Sequence, residues 1–339
     1  MDALLLFFQT PFLGQATWLW LLFLGIVLTV LTLDLGVFNR KDHIIGPGES
    51  VKAASAYIAL GLSFGAWIWY DLGSQKAVEY YTGYLLELTL ALDNVFVISL
   101  ILAYFAVPRE LQHRVLFWGI LGVIVLRAIM IGIGAALVTN FAWVLYIFAA
   151  FLLFTGAKML KESFSSDAEE AKDLTNNAIL KWLRSRLRVT ESFQGSKFFV
   201  RQAHPVSGKL VLFATPLFLA LVLVEFADLV FAIDSVPAIF AITQDPYIVY
   251  TSNIFAILGL RALYFALENA VHRFHYLKVA LALVLVFIGF KIFAGDLFFG
   301  GKFPAPWSLG ITVSLLAGGV IFSLLKPKHP KGGIEGAGS

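Results

Sequence analysis

Residues 87–95 read ELTLALDNV and residues 228–236 read DLVFAIDSV, so two distant segments share an apolar frame with an acid at the first and seventh positions. Both segments lie inside hydrophobic runs of about 20 residues, a length that crosses a ~30 Å hydrocarbon layer. A carboxylate at bilayer depth costs about 2.5–3.5 kcal/mol on insertion scales, and such residues are by default candidates for a functional site. The two segments therefore predict a membrane protein with a polar site built from related halves.

The composition of the whole chain supports insertion into a membrane. Of the 339 residues, 59% are hydrophobic and only 14% are charged, whereas a soluble domain carries about 25% charged residues. The apolar runs predict an all-α polytopic bundle of about nine transmembrane helices in a lipid bilayer. The predicted spans are residues 16–38, 53–71, 81–106, 115–138, 141–160, 210–243, 248–270, 277–299 and 305–325.

The basic residues of the loops predict the orientation of the chain. Ten Lys or Arg fall between Lys158 and Lys209, and the other loops assigned to that side are basic as well. The opposite side receives only Lys76 and Lys302. Because basic loops stay in the cytoplasm, we expect an N-terminus outside it and a cytoplasmic C-terminus. The net charge of +3 is small and gives no reason to expect a nucleic-acid partner.

Three matching stretches in the same order predict an internal duplication. Besides the two acidic segments, residues 126–128 (LRA) match residues 260–262, and residues 152–159 (LLFTGAKM) match residues 285–292 (LVFIGFKI). The two units start three spans apart, so the second should lie upside down relative to the first. We therefore predict two inverted three-helix repeats, an arrangement that places transport sites near the bilayer midplane.

This organisation divides the chain into six predicted segments. They are two N-terminal spans (1–80), the first repeat (81–160), a cytoplasmic loop (161–209), the second repeat (210–299), a last span (300–325) and a disordered cytoplasmic tail (326–339). The cytoplasmic loop is expected to be a solvated linker with a short amphipathic helix near Trp182. A regulatory or partner-binding role for that loop is the alternative.

Polar side chains of spans three and six are the candidate ligands of a divalent cation. They are Glu87, Asp93, Asn94, Glu225, Asp228, Asp234 and Ser235. The mid-span Arg127 and Arg261 balance two of the five carboxylates, and Lys158 and Lys291, expected near span ends, could contribute. A divalent cation would offset most of the remaining negative charge. The alternative is a set of purely structural ion pairs with the two arginines.

The donor set indicates the class of ion. Carboxylate, amide, hydroxyl and carbonyl oxygens suit Mn²⁺, Ca²⁺ and Mg²⁺. Copper and zinc would favour Cys, Met or His, but the chain has no Cys, and its six His fall in loops or at span ends. The absence of Cys also excludes dithiol redox chemistry by this chain alone. We expect no organic cofactor and no catalytic site.

Helix geometry constrains how these acids could meet. Six residues of α-helix separate Glu87 and Asp93 by about 120° and about 9 Å, so a straight helix would not turn both toward one ion. Pro237 is expected to kink or break span six beside Asp234, which would free the Ile233 carbonyl as a further ligand. A kink that serves packing alone is the alternative.

The stretches ELTLALDNVFV and FADLVFAIDSVPAIFAITQDPYIVYTSNIFAILGLRALYF, with FFVR at Phe198–Arg201, resemble the TerC family of bacterial and plastid membrane proteins, and within it the Alx-type members. The resemblance covers about residues 16–325. It implies a multi-pass protein of the bacterial inner membrane that is related to cation exporters. The acidic positions of the family correspond to Glu87, Asp93, Asn94, Asp228, Asp234 and Ser235, whereas Glu225 is added from its position alone.

Together, the ligands and the resemblance predict export of Mn²⁺ from the cytoplasm by alternating access, with proton uptake as a possible driving reaction. The oxygen ligands alone leave calcium or magnesium transport open. A protein that does not transport is the remaining alternative. It would be a membrane scaffold or a modulator of alkaline, tellurium or redox stress.

Overall fold

A computed structural model describes residues 7–33, 47–164, 178–203, 210–267, 275–299 and 303–325 of the chain. The helices are α1 (Thr17–Leu33), α2 (Pro47–Leu72), α3 (Ser74–Tyr104), α4 (Arg109–Asn140), α5 (Val144–Phe164), α6 (Ala178–Arg186), α7 (Pro216–Phe240), α8 (Pro246–Leu258), α9 (Leu260–Leu267), α10 (His275–Phe298) and α11 (Ala305–Leu325). Two antiparallel hairpins pair β1 (Pro11–Phe12) with β2 (Gln15–Ala16), and β3 (Phe199–Ala203) with β4 (Leu210–Ala214).

The described ranges contain eight helical segments that are long and apolar enough to cross a membrane, with α8 and α9 counted together. They correspond in order to the predicted spans two to nine, which confirms the all-α polytopic bundle. Helix α1 stands at the position of the first span, but only 17 of its residues are described. Residues 34–46, which include the predicted end of that span, lie outside the described residues.

The predicted start of the sixth span at residue 210 is wrong. Residues Leu210–Ala214 form β4, and helix α7 begins only at Pro216, after the N-cap residue Thr215. Proline favours the first helical position because its ring fixes a helical φ and an N–H is not needed there. The apolar stretch Leu210–Ala214 pairs with β3 instead of extending the helix.

Of the kink or break predicted at Pro237, a break is wrong, because α7 continues through Pro237 to Phe240. The proline lies in the last turn of the helix, so the missing N–H costs one hydrogen bond close to the helix end. The interruption occurs instead in the seventh span. There α8 ends at Leu258 and α9 begins at Leu260, so Gly259 separates the two helices.

Helices α3 and α7, which carry the two acidic segments, pack side by side in opposite directions. Asn94 of α3 contacts Asp228 of α7. Further toward the start of α3 and the end of α7, a Cβ at Gly83 would collide with Ile239. This antiparallel contact is the one expected for the third and sixth spans of a chain that reverses at every crossing.

Helices α5 and α10 pack through reciprocal contacts, in which a glycine of each helix faces a backbone carbonyl of the other. A Cβ at Gly156 of α5 would lie 2.9 Å from the carbonyl oxygen of Ala282, and one at Gly289 of α10 would lie 2.7 Å from that of Ala149. Gly156 and Ala149 occupy the same repeat positions as Gly289 and Ala282. The inverted repeat remains a prediction, and this reciprocal antiparallel packing supports it.

Buried aromatic rings fill the half of the bundle that is predicted to face away from the cytoplasm. Trp20, Tyr80, Tyr84, Tyr247 and Phe255 belong to one buried cluster there. Tyr80 and Tyr84 are stacked, and Trp20 meets Tyr247 edge to face. This layer leaves the described core of that half closely packed.

The predicted cytoplasmic loop contains the expected amphipathic helix near Trp182, which is α6. Leu180 and Leu183 of this helix are buried in the core of the bundle, whereas Trp182 is exposed. The β3–β4 hairpin was not predicted. Residues 165–177 and 204–209 of the loop, like the predicted tail 326–339, lie outside the described residues.

A candidate ion-binding site

Arg127 of α4 is the centre of a buried polar cluster in the middle of the bundle. Its side chain is 1% exposed. One guanidinium nitrogen donates to Glu87 of α3, while Nε and the other terminal nitrogen donate to the two oxygens of Asp228 of α7 at 3.3 and 3.2 Å. A planar guanidinium with several donors is the side chain best able to hold two carboxylates at once.

Three neutral side chains complete the cluster around Arg127. The guanidinium donates to Ser235 Oγ and to Asn253 Oδ1, both at 3.0 Å. Asn94 donates from Nδ2 to Asp228 Oδ1 at 3.2 Å. Four elements, α3, α4, α7 and α8, therefore meet at this point, and they come from both predicted repeats.

Asn253 is a site residue that the sequence analysis missed. It is completely buried, and its Nδ2 has no hydrogen-bond partner among the described residues. It belongs to the polar triplet Thr251–Asn253 inside an otherwise apolar span. An amide within an apolar span is a signal that could have identified it, although Asn253 lies outside the two acidic segments.

Glu225 lies next to this cluster, one helical turn before Asp228 on α7. Its carboxylate packs against Gly122 of α4, where a Cβ would collide with it. The Oε2 atom is buried without a hydrogen-bond partner in the described part of the chain. The absence of a side chain at Gly122 thus makes room for a carboxylate that Arg127 does not neutralise.

A small cavity of about 10 Å³ borders the cluster, which is about the room that one water molecule needs. Asn94 and Asp228 line it, together with apolar side chains of α3, α4 and α7 that include Ile98 and Val123. Asn94 Oδ1, which has no described hydrogen-bond partner, is a further buried acceptor at this place. In the predicted orientation the cavity lies between the Arg127 cluster and the cytoplasm.

Asp234 does not join the other acids. It is half-buried on α7, beside the hydroxyl of Thr155 and close to the ammonium group of Lys158, both on α5. Lys158 is largely exposed, as expected near a span end, and it lies 3.9 Å from Glu162. Asp234 and Thr155 therefore form a separate polar contact between α5 and α7, with Lys158 nearby.

Two further predicted residues, Lys291 and Arg261, lie at other positions of the bundle. Lys291 is not near a water-exposed span end, because it is buried and donates to Ser308 of α11 at 3.0 Å. Arg261 is buried at the start of α9. Asp93 belongs to α3, but its side chain lies outside the described residues.

The described side chains bring together Glu87, Asn94, Asp228 and Ser235 around Arg127, with Glu225 adjacent. Among the described residues, no group of three His, Asp or Glu side chains is arranged to hold a metal ion. In this conformation the guanidinium of Arg127 lies between the carboxyl groups of Glu87 and Asp228. The cluster sets two carboxyl groups, those of Glu87 and Asp228, against a single guanidinium.

A second polar network closes the end of the bundle that is predicted to face outward. Lys76 of α3 lies 2.8 Å from Asp245 and 3.6 Å from Glu79. Thr243 donates to Glu79 at 2.6 Å, and Gln15 donates to Asp245 at 3.2 Å. This network ties the start of α3, just before the first predicted repeat, to the α7–α8 turn of the second, on the outer side of the aromatic layer.

The chain is similar to a set of bacterial membrane proteins. The family model described as "Integral membrane protein TerC family" matches residues 72–331. An uncharacterized membrane protein of Rickettsia felis is 47% identical over 307 residues, which cover 91% of this chain and 97% of that protein. An uncharacterized membrane protein of Myxococcus xanthus is 43% identical over 311 residues, with 92% and 93% covered.

A Salmonella typhi protein, Alx, whose name describes a proposed membrane-bound redox modulator, is 43% identical over 307 residues; these cover 88% of this chain and 91% of Alx. No solved structure matches the chain.

Proposed function

The chain belongs to the TerC family of integral membrane proteins, and from this premise we propose that it exports divalent manganese from the cytoplasm across the bacterial inner membrane. The observation that carries the proposal is the buried Arg127 cluster, in which two carboxyl groups share one guanidinium and unused oxygen acceptors lie beside it. Purely structural ion pairs would leave no reason to bury the unpaired Oε2 of Glu225 one helical turn from Asp228, because a buried polar atom without a hydrogen-bond partner is costly.

The proposed ligands in this conformation are Asn94, Glu225 and Asp228. Asn94 Oδ1 and Glu225 Oε2 have no described hydrogen-bond partners. Asp228 accepts a hydrogen bond from Asn94 Nδ2 and lies one helical turn after Glu225. Such oxygen donors suit a hard divalent cation. A cation entering through the cavity would reach Asn94 and Asp228, which line it, and would weaken the hold of Arg127 on Asp228, since both positive groups compete for the same carboxylate.

Export would follow from movement of one half of the bundle against the other. The cluster joins α3 and α4 of the first predicted repeat to α7 and α8 of the second, so a relative rotation would change the access to it. The cavity lies on the predicted cytoplasmic side, and the aromatic layer and the Lys76 network cover the opposite side. This arrangement is expected of a conformation that is closed to the outside.

The choice of manganese rests on the family resemblance and not on the ligands. Calcium and magnesium bind the same oxygen atoms. The name of the relative Alx, redox modulator, gives the second hypothesis. In it, the protein acts on stress responses without moving an ion. The chain contains no Cys, so a redox role could not use thiol chemistry of this chain.

Transport into proteoliposomes tests the proposal. With protein inserted in both orientations, Mn²⁺ should enter vesicles that contain wild-type protein, and Asp228→Asn should reduce the initial rate at least tenfold, because it removes a charged ligand and a partner of Arg127. The matched control is Asp71→Asn, which changes an exposed aspartate at the end of α2 and should leave the rate unchanged.

The same assay separates the alternatives. Competition by Ca²⁺ or Mg²⁺ at equal concentration identifies the preferred ion. A pH-sensitive dye inside the vesicles reports proton exchange, and an unchanged internal pH during Mn²⁺ flux would remove the antiport hypothesis. If vesicles that contain wild-type protein take up no divalent ion, the transport proposal fails and the scaffold or modulator hypothesis is favoured.

A further inference from the structure

The predicted cytoplasmic face carries a surface formed by α6 and the β3–β4 hairpin, which we call the hairpin platform (residues 178–203 and 210–214). We propose that this platform lies in the headgroup region of the bilayer and binds anionic phospholipids. The proposal rests on its attachment, its apolar face and its charge, and it does not depend on which ion the protein transports.

The hairpin is fixed to the ends of two membrane-spanning helices. Thr215, the N-cap residue of α7, donates from its backbone N–H to the carbonyl of Phe198 at 2.9 Å and from its hydroxyl to the carbonyl of Lys197 at 2.8 Å. The guanidinium of Arg114 in α4 lies 5.7 Å from the ring centre of Phe198. The hairpin therefore sits at the level where α4 and α7 enter the membrane.

One face of the hairpin is apolar and exposed. Phe199, Leu210 and Leu212 are 43%, 72% and 58% exposed, and the strand register places all three on the same face as Arg201. The ring of Phe199 packs against Phe218 in the first turn of α7, with ring centres 4.4 Å apart. The exposed side of α7 continues through Phe226, so the apolar face of the hairpin extends a surface that contacts lipid.

The platform is strongly basic. Residues 178–203 contain six Lys or Arg and a single acid, Glu191. Arg184, Arg186 and Arg188 are exposed, and no carboxylate of the described residues lies within ion-pair distance of them. Because Leu180 and Leu183 fasten α6 to the bundle, these guanidinium groups are held on a fixed support beside the hairpin.

An exposed aromatic residue completes the pattern. Trp182 is 58% exposed on α6, between basic neighbours. Apolar and aromatic side chains next to clustered Lys and Arg are the features by which a surface element enters the headgroup region of an anionic leaflet. A soluble protein partner would account for the charges, but not for the continuity of the apolar face with the lipid-facing side of α7.

Two measurements on the full-length protein test the proposal. The chain has no Cys, so Leu212→Cys can carry a single nitroxide label in vesicles of phosphatidylcholine with phosphatidylglycerol. The label should be accessible to dissolved oxygen and shielded from a water-soluble nickel chelate. Preferential access of the nickel chelate would overturn the placement in the headgroup region.

Lipid retention tests the chemistry of the basic residues. In native mass spectrometry, the variant Arg184→Gln, Arg186→Gln and Arg188→Gln should retain several-fold less phosphatidylglycerol than the wild type, with unchanged binding of phosphatidylcholine. The control is Lys52→Gln, at an exposed basic residue of α2. It removes the same single positive charge as Arg186→Gln, and the lipid retention of these two single variants is compared. Equal retention by the triple variant and the wild type would overturn the proposal, and circular dichroism verifies that each variant is folded.

Discussion

Arg127 is a buried guanidinium that serves two carboxylates at once, and its surroundings show why it is an arginine. Glu87 and Asp228 approach it from different helices, while Ser235 and Asn253 accept from one of its terminal nitrogens. A lysine ammonium offers a single point of charge with three donors and could not bind both acids in this planar arrangement. The residue therefore fixes the relative positions of α3, α4, α7 and α8.

Replacing Arg127 by Met should lower the free energy of unfolding by about 3–5 kcal/mol, because two acidic side chains would remain buried without a charged partner. Glu87→Gln combined with Arg127→Met should recover part of this loss. The coupling energy of the double-mutant cycle, measured by reversible unfolding in mixed micelles, should be about 1 kcal/mol or more.

The control is Arg184→Met, which removes an exposed guanidinium on α6 and should change the stability by less than about 0.5 kcal/mol. Additive effects of Glu87→Gln and Arg127→Met would contradict the ion pair as a coupled unit.

Gly122 provides a second prediction at the scale of one residue. Gly122→Ala should displace the carboxylate of Glu225, since the added methyl group would occupy its position. We expect Mn²⁺ transport to fall at least tenfold, with a moderate loss of stability of about 1–3 kcal/mol from overpacking.

Gly318→Ala is the matched control for this substitution. It adds a methyl group to a glycine of α11 with no atom within 4 Å of the new position. If Gly122→Ala transports Mn²⁺ at the wild-type rate in the assay described above, transport does not depend on the present position of the Glu225 side chain.

At the scale of helices, the crossing of α5 and α10 depends on two glycines in equivalent repeat positions. Small residues let membrane helices approach closely, and the backbone contacts at Gly156 and Gly289 leave no space for a methyl group. Each Gly→Ala substitution should therefore destabilise the protein by about 1–3 kcal/mol. Unfolding in mixed micelles measures the effect.

The reciprocal contacts also predict how the two substitutions combine. Gly156→Ala and Gly289→Ala should cost similar free energies, and the double variant should cost less than their sum, because one shift of the helices relieves both clashes. Gly310→Ala, at an open position of α11, should have no such cost. Unequal, strictly additive losses would argue against a shared crossing point.

For the whole molecule, the distribution of basic residues predicts which side of the membrane each loop faces. Single cysteines in the Cys-free chain report this directly. Trp143→Cys lies between α4 and α5, and Arg186→Cys lies on α6. In intact spheroplasts an impermeant thiol reagent should modify Trp143→Cys alone, and after lysis it should modify both. Labelling of Arg186→Cys before lysis would reverse the orientation and the proposed direction of export.

Much of the fold could be predicted from the sequence because membrane insertion imposes simple rules. Long apolar runs determined eight of the spans, since only a helix satisfies its own backbone hydrogen bonds in lipid. Their ends were less certain where a short apolar stretch could be a strand or a helix. Leu210–Ala214 was assigned to a span for this reason, and its pairing with β3 depends on a partner more distant along the chain.

The sequence by itself also determined the chemical character of the site, because acids inside apolar spans are few and conspicuous. Glu87 and Asp228 are paired by the repeat, and the mid-span position of Arg127 predicts it as a counter-charge to the buried acids. Only the tertiary structure decided that Arg127 binds both acids, that Asn253 joins them and that Asp234 and Lys291 lie elsewhere. The physical reason is that hydropathy depends on each residue alone, whereas the partner of a buried charge depends on how separate helices rotate and pack against one another.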